Sequence, residues 1–119
     1  MKKYSVEFYE KDNGEMPARD FIISLDEKMR SRVYKYIDIL SNNGPDLREP
    51  YSKMLSNGIF ELRIKSGSDI SRVLYFFYIG SRIILTNGFI KKTQKTPKSE
   101  IIKAKKYRED FIRKAENKI

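Results

Sequence analysis

The chain has 119 residues, with 25 Lys and Arg against 16 Asp and Glu, for a formal charge of +9. That length fits a single domain over 1–119, and 39% apolar with 13% aromatic residues suffices for a buried core, which excludes a disordered chain. With neither Cys nor His, disulfides, thiolate and imidazole metal sites, Cys nucleophiles and Ser-His-Asp triads are excluded too. At the start, Tyr4, Val6 and Phe8 alternate with Ser5, Glu7 and Tyr9, the period of a half-buried strand. Asn13-Gly14 interrupts it, and Pro17 presets the first turn of a helix carrying Phe21, Ile22 and Leu25. Ser24-Leu25-Asp26-Glu27 reads as a capping box. It opens a second helix with the stripe Met29, Val33, Ile37 and Leu40, which stops near Asn43-Gly44-Pro45.

Residues 42–58 are rich in Asn, Gly, Pro and Ser and read as a loop with a short extended piece at 53–55. Three strands follow. The first, 59–65, sets Phe60, Leu62 and Ile64 on one face and Glu61, Arg63 and Lys65 on the other. Gly67-Ser68-Asp69 turns into 70–79, and Gly80-Ser81 is a two-residue hairpin signal before 82–90. Thr96-Pro97 reads as a hydroxyl cap and first-turn proline for a last helix with the stripe Ile101, Ala104, Tyr107, Phe111, Ala115 and Ile119. The order βααβββα predicts an α+β domain: a small antiparallel sheet, an N-terminal helix pair and a basic C-terminal helix.

The charge is divided unevenly. Residues 1–58 balance, whereas 59–119 hold 15 Lys and Arg against six acids, so the whole excess lies in the second half. Such asymmetry points to a surface that meets a polyanion, nucleic acid being the expected one. No apolar run approaches the roughly 20 residues of a membrane span, and Met1-Lys2-Lys3-Tyr4 lacks the apolar stretch of a signal peptide. The expected location is the cytoplasm, without a membrane partner.

In the strand 70–79, Val73, Tyr75, Phe77 and Ile79 face the helices, which leaves Arg72, Leu74, Phe76 and Tyr78 on the opposite face. An Arg heading an apolar strand either pairs with Glu61 across the sheet or serves a ligand. Arg63 and Lys65 leave the core face as well, and Lys91 and Lys92 follow the next strand. These five cations around one sheet surface repel each other, and a bound anion would relieve that. The six acids of 59–119 are scattered, so no carboxylate cluster for a hard cation is expected, and no Gly-rich phosphate loop is present. Neither a metal nor another cofactor is expected.

Three stretches carry a resemblance: Gly58-Ile59-Phe60-Glu61-Leu62-Arg63, Arg72-Val73-Leu74-Tyr75, and Phe89-Ile90-Lys91-Lys92-Thr93-Gln94-Lys95-Thr96-Pro97. With them the chain resembles, over almost its whole length, the phage-derived branch of the RelE/HigB toxin superfamily. The resemblance implies a RelE-like fold and the toxin of a toxin–antitoxin pair. Its partners would be messenger RNA, usually on the ribosome, and a cognate antitoxin, expected to be a helix-turn-helix protein. The chain departs from many relatives at Asn87, where they carry His before the Gly-Phe.

RNA brings its own nucleophile, the 2′-hydroxyl, so cleavage needs a base, charge stabilisation at phosphorus and protonation of the leaving 5′-oxygen. Arg72 is the expected phosphate clamp, because a guanidinium presents a fixed fork to two oxygens. Arg63 assists it or donates to the leaving oxygen, and Lys91 or Lys92 is the expected base, its pKa lowered by crowded cations. Phe89 is a candidate for stacking a base, and Lys65, Lys95 and Lys98 for contacting the RNA backbone. The reading is a metal-independent endoribonuclease. The alternatives are a non-catalytic nucleic-acid-binding or regulatory phage protein on the same fold, and a degenerate member kept as an antitoxin partner.

Overall fold

The computed structural model describes residues 3–92 and 95–117. Thr93 and Gln94 of the basic motif, and Lys118 and Ile119 at the end of the predicted last helix, lie outside them. The chain runs β1 (Ser5–Phe8), α1 (Pro17–Ser24), α2 (Glu27–Asn43), a short 3-10 turn (Gly44–Asp46), β2 (Ser52–Ser56), β3 (Ile59–Ser66), β4 (Asp69–Tyr78), β5 (Arg82–Ile90) and α3 (Lys98–Glu116). The α+β architecture follows the expectation, with two corrections to the sheet.

The first concerns strand number. The sheet has five strands in the order β1-β5-β4-β3-β2, because Ser52–Ser56 pairs antiparallel with β3. The short extended piece expected at 53–55 is the middle of a full strand, one arm of a hairpin. Its turn, Asn57-Gly58, has φ of 44° and 81°, both positive, as a two-residue turn matched to strand twist requires. The second concerns direction. β1 joins the far edge parallel to β5, with Val6 opposite Ile83, so the sheet is mixed.

Caps differ from expectation at two helices. α2 is capped by Asp26, whose carboxylate accepts from Met29 N at 2.8 Å, while the Ser24 hydroxyl donates to Phe21 O. An Asp side chain in the residue just before the first turn reaches the orphan N–H more directly than Ser24, which still belongs to α1. At α3 the residue before the helix is Pro97, and the Thr96 hydroxyl is committed elsewhere. The predicted stop at Gly44 holds: it has φ +54°, and a Cβ there would lie 2.3 Å from the Tyr4 ring.

The sheet separates two cores. Val73, Tyr75 and Phe77 join Leu62, Ile64, Ile83 and Leu85 beneath α1 and α2. Leu74, Phe76 and Tyr78 face α3 with Ile59, Ile84, Ala104, Tyr107 and Phe111. Leu74 and Phe76 thus meet the apolar stripe of the last helix, as their alternation predicts. Ile79, assigned to the first of these faces, lies past the strand end and is exposed. α3 is further tied down by Tyr9, which stacks on Tyr107 and donates to Asp110 at 2.5 Å, and by Lys114 bridging Asp12 and Asp110.

One irregularity in β5 decides what stands on the α3 face. Leu74 pairs with Asn87 but Tyr75 pairs with Leu85, so Thr86 is an inserted residue. Strict alternation from Ile83 and Leu85 would send Asn87 and Phe89 under α1 and α2. The bulge reverses the parity, so that Asn87 shares a face with Leu74, and Phe89 with Arg72. Gly88 then points at α1, where a Cβ would sit 2.3 Å from the Phe21 ring. Only glycine lets α1 pack this close to the strand.

Candidate functional site

The α3 face of the sheet carries three cross-strand rows: Glu61 beside Leu74 and Asn87, Arg63 beside Arg72 and Phe89, and Lys65 beside Ile70. The last row is extended by Lys91, whose backbone N–H donates to Ile70 O at 2.9 Å. Period-two geometry in β3 and β4, with the bulge in β5, is what stacks these cations side by side. Arg63 and Arg72 are direct partners, a like-charge pairing that costs stability unless it is compensated.

Glu61 compensates it. Its buried carboxylate lies 3.5 Å from Arg63 Nε and 3.5 Å from Arg72 Nε, and Glu49 adds a contact of 3.0 Å to Arg63. The sequence offered Glu61 as a partner for Arg72, and the structure has it serve both arginines. Glu61 Oε1 also accepts from the Thr96 hydroxyl at 2.5 Å, which pins the end of the 91–97 connection over the sheet.

Arg72 is 4% exposed, and its guanidinium is not fully hydrogen-bonded. Its Nη1 donates to Ser71 O at 3.3 Å, but its buried Nε lies outside hydrogen-bonding geometry from Glu61 and has no acceptor among the described residues. A buried donor without an acceptor carries a desolvation penalty of roughly 1–3 kcal/mol, more when charged. Burial pulls the Arg72 pKa down, Glu61 opposes this and Arg63 adds to it. The guanidinium stays charged all the same.

Lys91 is half-buried at the edge of this group, and its pKa is lowered, first by desolvation and then by the charges of Arg72 and Arg63, with Glu61 opposing and Lys53 adding. Lys92 is exposed and is not among the charges acting on Lys91 or Arg72. The structure therefore separates the two lysines that the sequence left equivalent. Phe89 packs against the core beneath α3, and Lys65, Lys95 and Lys98 are exposed. Asn87 is buried, and its amide donates to Glu100 O and Glu100 Oε1, tying β5 to the first turn of α3.

Arg63, Lys65, Ile70 and Arg72 line a pocket of about 300 Å³ together with Tyr36, Pro50 and Tyr51. The aromatic part of the lining was not foreseen. The Asn57-Gly58 turn was the available signal: a hairpin there makes the preceding residues a strand and brings Tyr51 beside Arg63, whose N–H donates to Tyr51 O at 2.8 Å. Among the described residues no three acidic side chains gather into a metal-binding group, and no helix is long and apolar enough to cross a membrane.

A family model, phage derived protein Gp49-like (DUF891), matches residues 20–109, from within α1 through most of α3. The chain belongs to this Gp49-like family. The match includes every cation of the site, with Glu61 and Thr96, and the family is phage-derived and RelE/toxin-like. No curated protein matches the chain.

Proposed function

We propose that this Gp49-like protein is a ribosome-associated endoribonuclease toxin that cleaves messenger RNA by internal attack of the 2′-hydroxyl, without a metal. The observation that carries the reading is the buried, incompletely satisfied Arg72 in a cationic pocket on a RelE/toxin-like chain. A scissile phosphate seated there accepts from the Arg72 fork and relieves the Arg63–Arg72 repulsion as the phosphorane gains charge. Lys91, with its lowered pKa, takes the 2′-hydroxyl proton. Arg63, partly exposed in the pocket lining, donates a hydrogen bond to the leaving 5′-oxygen, which takes its proton from water as the protonated Lys91 returns one. Glu61 is the positioning residue that holds both guanidinium groups. A cognate antitoxin with a helix-turn-helix domain is the proposed regulator, and the cytoplasm the proposed place of action.

The deciding experiment incubates purified protein with ribosome-bound message and with bare RNA oligonucleotides in excess EDTA. Cleavage is expected in at least one of the two, with products ending in a 2′,3′-cyclic phosphate, since that is the product of internal attack. Products bearing only 5′-phosphates would show that water is the nucleophile and overturn the mechanism.

The lowered pKa of Lys91 sets the sign of the pH dependence. The neutral amine is the active form, so the rate should rise with pH and level off below the ordinary lysine value of about 10.4. Arg63→Gln removes a positive charge that depresses Lys91, and should move the inflection upward. Glu61→Gln removes a charge that raises it, and should move the inflection downward. A profile identical in wild type and both variants would remove Lys91 from the role of base.

A further inference from the structure

The cations of the pocket account for a phosphate and leave its aromatic residues unused. Tyr51 is 39% exposed and meets the half-buried Tyr36 edge to face, with ring centroids 5.7 Å apart. Pro50 lines the same pocket. Two constraints hold Tyr51 at this place: its carbonyl accepts from Arg63 N, and the next residue, Ser52, hydrogen-bonds Tyr75 in the core through its hydroxyl. Tyr36 is anchored from below, since it packs on the core under α2. The aromatic pair is thus anchored, partly open to solvent, and built on elements different from those bearing the cations.

We infer that Tyr51, backed by Tyr36, is a nucleobase-stacking subsite for the nucleotide whose phosphate lies on Arg63 and Arg72. A nucleotide has one anionic end and one flat apolar end, and this pocket is lined by side chains suited to each. Its volume, about 300 Å³, is at the small end of ligand-sized pockets and suits a single nucleotide rather than a duplex. A duplex keeps its bases stacked inside, so the subsite selects single-stranded RNA. It favours no base strongly, because every base has a π-face to offer. The inference rests on the RNA reading above but does not require cleavage, which permits a separate test.

The test measures anisotropy of a short fluorescein-labelled oligonucleotide with 2′-deoxy sugars, which cannot undergo internal attack, and of the same backbone made fully abasic. Wild type is expected to bind the base-bearing strand roughly tenfold or more tightly than the abasic one. Tyr51→Ala should lose most of that difference while its salt dependence stays that of wild type, because no charge has changed. Tyr51→Phe should retain it, and Tyr51→Leu, which fills the space without a π-face, should not. Equal wild-type affinity for the two strands, or an unaltered preference in Tyr51→Ala, overturns the subsite while leaving the nuclease reading intact. Base-dependent binding without any RNA cleavage keeps the subsite and overturns the nuclease. No binding of either strand overturns the subsite, and cleavage of ribosome-bound message then still upholds the nuclease.

Discussion

Replacing Arg72 by alanine is expected to lower RNA cleavage by about 100-fold or more and to relieve growth arrest on induced expression. The size follows from where the guanidinium sits. It is buried against Glu61 and carries a donor with no acceptor among the described residues, so its interaction with a phosphate oxygen is made in a poorly solvated place and satisfies a group already desolvated. The same burial makes alanine an ambiguous probe. Glu61 keeps Arg63 and Thr96 as partners, but breaking a buried pair by removing one member can cost about 3–5 kcal/mol. Arg72→Lys keeps the charge beside Glu61 and loses the fork, so it separates folding from clamping. It should unfold close to wild type and still cleave at least about tenfold more slowly. A folded Arg72→Lys or Arg72→Ala variant that cleaves and arrests growth like wild type would take Arg72 out of the site.

Most of the fold was legible because its signals are local. Alternation in 59–65 and 70–79 sorts side chains to two faces, the positive-φ turns at Gly67 and Gly80-Ser81 close the meander, and the stripes of α2 and α3 follow helical spacing. What escaped was non-local or counter to a local rule. The parallel seat of β1 beside β5 depends on a crossover that no window of sequence displays. The bulge at Thr86 reverses the facing of Asn87 and Phe89, and a strand read with unbroken parity cannot reveal it. Asn57-Gly58 was a readable hairpin signal submerged in a stretch rich in other turn residues.

The site divides in the same way. Arg63 and Arg72 share a face by simple alternation, and their convergence could be reasoned from sequence alone. Lys91 and Lys92 could not be told apart, because their difference depends on where the chain leaves β5 and how deeply each amine is buried. Tyr36 lies on α2 and Tyr51 just before the edge strand β2, and only the folded chain brings them into one pocket with the arginines. The hydroxyl of Thr96 looked like a helix cap, since residue type and spacing both fit. Its actual acceptor, Glu61, is 35 positions away.

Affinity for single-stranded RNA should fall steeply with salt, and the structure separates the exposed lysines of α3 from the cations already engaged within the fold. Each neutralised phosphate releases condensed counterion, worth roughly 0.7 log units of affinity per decade of salt on a single strand. Engagement of Arg63, Lys65, Arg72 and Lys91 alone predicts a loss of about 50-fold between about 50 and 200 mM salt. α3 adds cations of two kinds. Arg108 donates to Asn57 O, and Lys114 is held by Asp12 and Asp110, so these two are occupied in fastening the helix to the sheet. Lys98, Lys103 and Lys106 are exposed, Lys103 lying 3.7 Å from Glu100. Neutralising those three together, as Gln, should flatten the slope by roughly 2 log units per decade if the helix tracks the RNA backbone. Thermal stability should stay within about 0.5 kcal/mol of wild type, as exposed charges contribute little to folding. Neutralising Arg108 instead should loosen the β2–β3 turn from α3 and lower stability with a smaller change in slope. A triple variant with the wild-type slope would confine RNA contact to the sheet, and the exposed lysines of α3 would then be a solvated face over the apolar stripe that Leu74 and Phe76 bury.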